Sequence, residues 1–351
     1  MAVILLAAFL IAPDAAHAQP GPNARKMVLA AGQGDLAQLK TLLEKGVNPD
    51  AVDRRGRPAL FLAARKGRLK IVRLLLEKGA PIDAAALNGQ TALMQAAANK
   101  HGEVAKFLIA KGANIKHRSK GRMTVLMAAG WGGDVEIMKM LIDKGANPLA
   151  VGDRGVTPVF FVSYSGSLQG ARLLVGLGAK LNAAFSQPPA NEPITPLEMA
   201  LSLGHLELGR FYLSKGARMF DPSGKAAGGI MYGSVVLNKA DVVAFIIAKG
   251  VDPDIKYKQG ISPLIKGAEK GALQSIRMLL SKGAKVNVRA SNGTTALMMA
   301  SQQGKREMVG LLLAHGAKVN LKDKAGRTAL SFAQDFRHTK IIDMLKGAGA
   351  K

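Results

Sequence analysis

The side chains that most often carry out catalysis or bind metal ions are sparse in this sequence. Its six histidines are scattered without the short spacings of a zinc site, and cysteine is absent. The nearest match to a phosphate-binding loop, Gly224-Lys225 with the glycines that follow, lacks both the loop spacing and a preceding strand. No Gly-x-Ser-x-Gly nucleophile elbow is present. The sequence therefore predicts a protein that is not an enzyme, with no cofactor and no metal site.

Positive charge is the strongest chemical signal, since 49 lysines and arginines stand against 24 acidic residues and give a formal net charge of +25. Part of the surplus has a structural explanation, because the helix dipole favours a cation at the end of a helix by about 0.3 to 1 kcal/mol. Eight lysines directly precede a glycine at a predicted helix end: Lys45, Lys78, Lys111, Lys144, Lys215, Lys249, Lys282 and Lys346. Cations around the predicted turns remain, and they favour salt-sensitive binding of an anionic partner. The alternative is that they only keep the protein soluble.

A period of about 33 residues positions these side chains. Thr91-Ala92-Leu93, Thr124-Val125-Leu126 and Thr157-Pro158-Val159 recur at this step, as do glycines such as Gly79 and Gly112. Units of this length cannot bury their apolar faces alone and stack into a solenoid. About ten units follow one another in register. Because a stacked array presents a surface rather than a pocket, the period favours binding over catalysis.

Each unit carries signals for two helices. A Thr or Ser hydroxyl group is placed to accept a backbone N–H at the start of the first helix, and proline often follows at the first helical position. These residues are Thr91, Thr124, Thr157, Thr195, Ser262, Thr295 and Thr328, with Pro158, Pro196 and Pro263. Paired small residues such as Ala63-Ala64 lie in the first helix, and an apolar stripe such as Leu75-Leu76, which we expect in the core, lies in the second. A glycine just past the second helix favours a left-handed backbone and ends it. The glycines are Gly46, Gly79, Gly112, Gly145, Gly178, Gly216, Gly250, Gly283 and Gly316.

The pattern Gly-x-Thr-Ala-Leu, then Ala-Ala, then Leu-Leu-x-x-Gly-Ala-x-Ile-Asp resembles the ankyrin repeat over nearly the whole chain. The resemblance implies an all-α fold, an ankyrin-repeat solenoid of about ten helix-turn-helix units with β-hairpin fingers. One departure concerns the histidine of the family's Thr-Pro-Leu-His, which this chain lacks. Its positions hold Met94, Met127, Phe160, Glu198, Ile265, Met298 and Ser331, where we expect apolar packing in its place. Five extra residues between Asn182 and Thr195, with Pro188-Pro189, predict one longer hairpin finger.

The resemblance also implies that hairpin tips and first helices line a concave groove that binds protein partners. The turn cations predict that this groove is positive and takes an acidic protein, with the chain acting as a non-catalytic scaffold or inhibitor. The predicted partner-binding residues are Arg55, Arg57, Arg65, Lys66, Arg122, Trp131, Arg154, Tyr164, Tyr257, Lys258 and Lys270. Trp and Tyr are favoured interface anchors, although Trp131 has the alternative of folding back over its neighbour's helix.

Two other partner classes fit a chain this basic. An envelope-associated protein would place its cations on anionic lipid or cell-wall polymer, and this is the second hypothesis. Nucleic acid is disfavoured, because the chain carries export features and no recognition-helix, zinc or RNA-binding signature interrupts the repeats.

The N-terminus predicts export. The apolar run from Val3 to Ala12, followed by Ala16-His17-Ala18, has the form of a signal peptide with a small-residue cleavage site. We expect residues 1–18 to be the signal, 19–24 a linker, 25–347 the ankyrin-repeat domain and 348–351 a frayed tail. Later stretches fall short of the roughly 20 apolar residues of a transmembrane helix. The expected location is the periplasm, with secretion as the alternative.

Overall fold

The structure is a computed structural model that describes residues 21–187, 190–218 and 224–351. These residues contain ten consecutive pairs of helices. By its contacts the chain divides after Pro196 into two units. The helices of the first unit are α1 (Pro22–Gln33), α2 (Leu36–Glu44), α3 (Ala59–Arg65), α4 (Leu69–Glu77), α5 (Ala92–Ala98), α6 (Gly102–Ala110), α7 (Val125–Gly132), α8 (Val135–Asp143), α9 (Pro158–Ser165) and α10 (Leu168–Gly176). The first unit also contains the two-stranded antiparallel sheet of β1 (Phe185–Gln187) and β2 (Ala190–Ile194).

The second unit has the same plan of paired helices. Its elements are α11 (Pro196–Ser202), α12 (Leu206–Ser214), α13 (Lys225–Val236), α14 (Ala240–Ala248), α15 (Pro263–Lys270), α16 (Leu273–Ser281), α17 (Ala296–Gln302), α18 (Arg306–Ala314), α19 (Ala329–Asp335) and α20 (Thr339–Gly347). The predicted all-α fold with about ten repeats is therefore confirmed. The sequence predicts one uninterrupted domain over residues 25–347, whereas the contacts divide it at the end of the finger that carries the five extra residues.

Side-chain caps start five of the first helices, at five of the seven positions that the sequence predicts. The Oγ atoms of Thr91, Thr124, Ser262, Thr295 and Thr328 accept the backbone N–H three residues on, at 3.2–3.4 Å. The prediction for Thr157 is wrong, because its side chain makes no cap hydrogen bond at the start of α9. The proline at the first helical position does not explain the difference, because Ser262 caps α15 although Pro263 follows it in the same way.

Methionine replaces the expected histidine with more than apolar packing. Met94, Met127 and Met298 are all buried, as predicted. In two of the three, the thioether also accepts a hydrogen bond: Met127 Sδ lies 3.4 Å from Thr124 N, and Met298 Sδ lies 3.4 Å from Thr295 N. The sulfur therefore satisfies a backbone donor at the start of the helix that apolar packing alone would leave unpaired.

Small residues let the first helices approach one another within each unit. Ala63, Ala64, Ala96 and Ala97 are at most 1% exposed. The closest approach involves Gly132 at the end of α7, where an added Cβ would lie 2.3 Å from the carbonyl oxygen of Ala97 in α5. A side chain at that position requires the two helices to move apart.

The second helices supply the larger apolar core. The first leucine of each predicted pair is buried: Leu42, Leu75, Leu108, Leu141, Leu279 and Leu312 are at most 6% exposed. The second residue of the pair is only half-buried in five of these six helices, so the stripe is narrower than the sequence predicts. All nine glycines predicted to end these helices have positive φ, between 77° and 93°.

Most of the predicted β-hairpin fingers are short. Single antiparallel bridges close three of them, Val52 with Pro58, Ala85 with Thr91 and Arg118 with Thr124. The inserted residues make the longer finger, in which Phe185 pairs with Ile194 and Gln187 with Ala190. Pro188-Pro189 lies outside the described residues.

The chain ends differ from the predicted boundaries. Helix α1 begins at Pro22, inside the segment predicted to be a linker. The last residues are not frayed, because Lys351 N donates to Asn320 Oδ1 at 3.0 Å and Asn320 Nδ2 donates to Gly349 O at 3.0 Å. The predicted signal, residues 1–18, lies outside the described residues. Among the described helices, none has the length and apolar character needed to cross a bilayer.

Candidate functional site

In each of two hairpin turns, an aspartate side chain points into the turn and accepts hydrogen bonds from its backbone. Asp53 Oδ1 accepts the backbone N–H groups of Arg55 and Arg57, both at 2.9 Å, and Asp53 Oδ2 lies 2.7 Å from Arg57 Nε and 2.5 Å from Arg57 Nη2. The last repeat repeats this arrangement, with Arg327 N at 2.9 Å from Asp323 Oδ1 and Arg327 Nη2 at 2.9 Å from Asp323 Oδ2. Each carboxylate thus closes its own turn, and Arg57, a predicted partner-binding residue, is bound to Asp53.

Electrostatics around Asp323 reflect this geometry. Burial opposes its charged form, yet the backbone N–H and guanidinium of Arg327, with the backbone N–H of Ala325, lower the pKa of Asp323 below its ordinary value. The Asp323 side chain is only 2% exposed. Its negative charge is therefore paired with Arg327 inside the turn and contributes little to the surface.

Exposed cations surround these turns. In the first unit, Arg55, Arg122 and Arg154 are exposed, as the sequence predicts for residues that meet a partner. Further exposed cations lie on the hairpins of the first unit (Arg54, Arg118, Lys120) and of the second (Lys256, Arg289, Lys322, Lys324). The side chain of Lys258 lies outside what the structure describes. In the turns of Asp53 and Asp323, the carboxylate therefore faces inward while exposed cations lie around it.

Like Arg154, whose φ is 59°, Arg122 has a backbone conformation that few residues other than glycine adopt. Its φ is 53°, in the left-handed region. Gly89 and Gly56, one and two repeats earlier, hold the same position with φ of 76° and 61°. A residue with a Cβ pays about 1–2 kcal/mol in that region. The chain therefore places an exposed arginine where glycine is the less strained residue.

Arg65 and Lys66 are exposed at the end of α3, as predicted. The carbonyl oxygen of Arg65 lies 3.0 Å from Nε2 of His101, which belongs to the next repeat. The backbone that carries these two cations is thus tied to its neighbour, while both side chains point to solvent.

Trp131 and Tyr164 form an aromatic stack. They occupy the same position in consecutive repeats, near the ends of α7 and α9, and their ring centroids lie 4.2 Å apart with an angle of 20° between the planes. Phe161 flanks the indole at 5.9 Å. Both stacked residues are half-buried. The two alternatives for Trp131 are therefore combined, since its ring packs on the next repeat and keeps an exposed part.

The second unit has a different cluster around Tyr257 and Lys270. Tyr257 lies 5.2 Å from the ring of Tyr232 in α13, and Lys266 Nζ lies 5.4 Å from that same ring. Glu269 joins the two lysines, with its carboxylate 2.8 Å from Lys266 Nζ and 3.2 Å from Lys270 Nζ. Lys270 is exposed but shares its charge with Glu269.

The protonation states of Lys266 and Glu269 support one another. Burial works against the charge of Lys266, but hydrogen bonds with Glu269 and Tyr232 raise its pKa. Burial likewise opposes the charge of Glu269, and Lys266 and Lys270 lower its pKa. The sequence prediction missed Tyr232, Lys266 and Glu269. Tyr232 stands one repeat before Ile265, at the position of the family's histidine, and this was the signal that could have revealed it.

No group of His, Asp and Glu side chains that could hold a metal ion occurs among the described residues. The described side chains that the sequence predicts to meet a partner are cations and aromatic rings.

Comparison with known families agrees with the repeat geometry. The family described as ankyrin repeats (3 copies) matches residues 27–119, 230–323 and 264–351, and the family described as ankyrin repeat matches residues 122–153. No curated protein matches the chain. Ankyrin repeats indicate a protein-interaction scaffold. The matched residues make up more than half of the chain, so this protein belongs to the ankyrin-repeat family.

Proposed function

We propose that this protein is a non-catalytic binding module, a scaffold or inhibitor that holds an acidic protein through its exposed hairpin cations. The observation that carries this proposal is the arrangement of charge in the turns. Asp53 and Asp323 face inward and bind their own turns, while Arg55, Arg122 and Arg154 are exposed. Exposed cations such as Arg55 and Arg122 steer an anionic partner and speed its association.

Backbone strain at Arg122 supports the same proposal. If the charge served solubility alone, any surface position would do, and glycine would relieve the left-handed backbone here. Strain retained at an exposed arginine is typical of positions that act on a partner.

We place the protein in the periplasm, with secretion as the alternative. The support is the predicted signal at residues 1–18 together with the absence of cysteine, which leaves folding independent of disulfide formation.

The experiment is affinity capture from an envelope extract with the purified protein and two double variants. We expect one acidic protein in a stoichiometric ratio, released at high salt and lost with Arg55→Ala/Arg122→Ala. The control Lys40→Ala/Lys70→Ala removes the same charge from exposed positions on α2 and α4 and is expected to retain the partner. Capture that is the same at low and high salt, or equal for both double variants, contradicts the proposal.

A second candidate function is contact with anionic lipid or cell-wall polymer. The observation in its favour is a pair of exposed apolar side chains beside the arginines of the first unit: Leu149 is 47% exposed and Val151 is 51% exposed. Apolar side chains among cations suit an anionic membrane surface. Co-sedimentation with anionic but not neutral vesicles, or with wall polymer, without a stoichiometric acidic protein would favour this candidate.

A further inference from the structure

In four consecutive repeats of the first unit, the same two repeat positions lie at the end of the first helix. These pairs, which we call the helix-end strip, are Arg65-Lys66, Ala98-Asn99, Trp131-Gly132 and Tyr164-Ser165. Two cations stand at one end of the strip, the aromatic stack stands at the other, and none of the eight residues is acidic. Between them the strip holds only small or neutral side chains.

The aromatic end of the strip is fixed in place before any partner arrives. An added Cβ at Gly132 would lie 2.3 Å from Ala97 O, and one at Gly130 would lie 3.2 Å from Pro158 O. Because α7 has no side chain at either position, it approaches the helices on both sides and holds Trp131 and Tyr164 in contact. Rings that are ordered beforehand lose little conformational entropy on binding, which is typical of interface anchors.

The spacing along the strip restricts what can reach both ends. Packed helices lie about 8–10 Å apart, so two repeats separate Arg65 from Trp131 by roughly 16–20 Å. An extended chain advances about 3.3–3.6 Å per residue and covers this distance in about five or six residues. A single small molecule or one side chain does not span both ends.

We propose that the helix-end strip binds an extended segment of the partner protein. In this segment an apolar side chain packs on the Trp131–Tyr164 stack, and an acidic side chain about five or six residues away pairs with Arg65 and Lys66. The inference rests on the proposed function, since it specifies how the acidic partner is recognised. Ala98, small and half-buried, leaves room for the backbone of the segment between the two contacts.

Charge distribution favours a peptide over a single-stranded nucleic acid, although aromatic rings also stack on bases. A nucleic acid strand carries a phosphate at every nucleotide and needs cations along its whole path. The middle of the helix-end strip, Ala98-Asn99, is uncharged. Charge at one end and an apolar anchor at the other suit a peptide whose acidic and apolar residues are separated.

The test uses the full-length protein and the fluorescence of Trp131, which is the only tryptophan of the chain. Tryptophan-free peptides are synthesised with one phenylalanine and two glutamates separated by about five residues, in both sequence orders. We expect a saturable change in Trp131 emission for one order. A peptide of identical composition with the glutamates next to the phenylalanine is expected to bind about tenfold more weakly, because it cannot engage both ends of the strip.

Exposed positions provide variants that leave the fold intact. Arg65→Ala/Lys66→Ala is expected to weaken the spaced peptide about tenfold, and Lys40→Ala/Lys70→Ala is expected to leave its affinity unchanged. Tyr164→Ala, checked by thermal unfolding, should weaken the spaced and adjacent peptides alike, since both use the stack.

The inference is overturned by absence of any emission change in either order, by equal affinity for spaced and adjacent peptides, or by tighter binding of a single-stranded oligonucleotide. If the peptides fail while Arg55 and Arg122 still govern salt-sensitive capture of an acidic protein, only the inference about the strip is wrong. Loss of both results removes the proposed function as well.

Discussion

The indole ring of Trp131 stacks on the phenol ring of Tyr164 with 4.2 Å between the centroids, across the boundary between two consecutive repeats. The two residues are 33 positions apart in the sequence and share one repeat position. Close approach of α7 to its neighbours, through the missing side chains of Gly130 and Gly132, allows the contact. The most specific feature of this surface thus depends on two residues that have no side chain.

We expect Gly132→Ala to destabilise the protein. The added Cβ would meet Ala97 O at 2.3 Å, which is backbone and cannot rotate away. The expected loss in the free energy of unfolding is about 1–3 kcal/mol, measured by denaturant titration, with a changed Trp131 emission. Gly176→Ala is the control, because nothing lies within 4 Å of its added Cβ and alanine favours helix by up to about 1 kcal/mol. Equal effects of the two variants would show that the close approach of α7 and α5 is not tight.

Arg122→Gly separates stability from binding. Relief of the left-handed strain, about 1–2 kcal/mol, exceeds the extra backbone entropy of glycine, roughly 0.5–1 kcal/mol, so the variant should be more stable by about 0.5–1 kcal/mol. Its affinity for an acidic partner should fall. Lys120→Gly removes the same charge from the same hairpin at a residue without positive φ, and it should lose stability instead. A stabilised variant with unchanged affinity would assign no binding role to Arg122.

Removing the hydroxyl group of Ser301 should stabilise the protein. Ser301 is 0% exposed, and its Oγ has no hydrogen-bond partner among the described residues. A buried polar group without a partner costs about 1–3 kcal/mol, so Ser301→Ala should gain roughly 1 kcal/mol in the free energy of unfolding. Ser163 holds the same repeat position, but its Oγ donates to Val159 O at 2.7 Å, and Ser163→Ala should gain nothing. Parallel denaturant titrations compare the two variants, and a gain for both would contradict this account.

The methionine cap is tested by Met298→Leu. The variant keeps the apolar volume but removes the sulfur that accepts the N–H of Thr295. Thermal unfolding should report a loss of about 0.5 kcal/mol, the low end for one hydrogen bond, because a thioether sulfur is a weak acceptor. Met94 stands at the same repeat position, where the structure has no sulfur bond to Thr91, so Met94→Leu should cost less. A smaller loss for Met298→Leu than for Met94→Leu would assign the methionines to packing alone.

Asp323→Asn should lower stability in a pH-dependent way. The pKa of Asp323 in the folded protein is lowered from 3.8, so its contribution is present above pH 3.8 and is lost as pH falls through the lowered value. At pH 7 the variant should lose about 1–2 kcal/mol, because a charged acceptor of several hydrogen bonds is removed. The difference from the parent protein should close under acid conditions, as followed by unfolding titrations at several pH values. The exposed Asp143 provides the control Asp143→Asn, and a gap independent of pH would contradict the sign.

Local sequence signals predicted the positions of the repeat elements well, for a physical reason. A cap such as Thr91 acts over three residues, and a left-handed glycine such as Gly79 acts on its own backbone. Thr157 makes no cap hydrogen bond although Ser262, which a proline also follows, does, and nothing in the sequence distinguishes the two. The hydrogen bonds to the sulfur atoms of Met127 and Met298 were not predicted, because the sequence does not determine the rotamer of a methionine side chain.

The candidate surface was predicted in composition but not in arrangement. The residue types and repeat positions of Arg65, Trp131 and Tyr164 follow from the sequence alone, because the period assigns them to the ends of first helices. The sequence did not show that Arg57 is bound to Asp53 while Arg55 is exposed. It also left both orientations of Trp131 open and missed the contacts of Tyr232 with Tyr257 and Lys266.

The sequence by itself determined the repeat, the order of the helices and the net positive charge, since each depends on residue type within a few positions along the chain. Tertiary structure alone decided which charges face solvent and which rings touch. Those outcomes depend on how closely neighbouring repeats pack, and that distance is set by pairs such as Gly132 and Ala97, which meet only after the chain has folded.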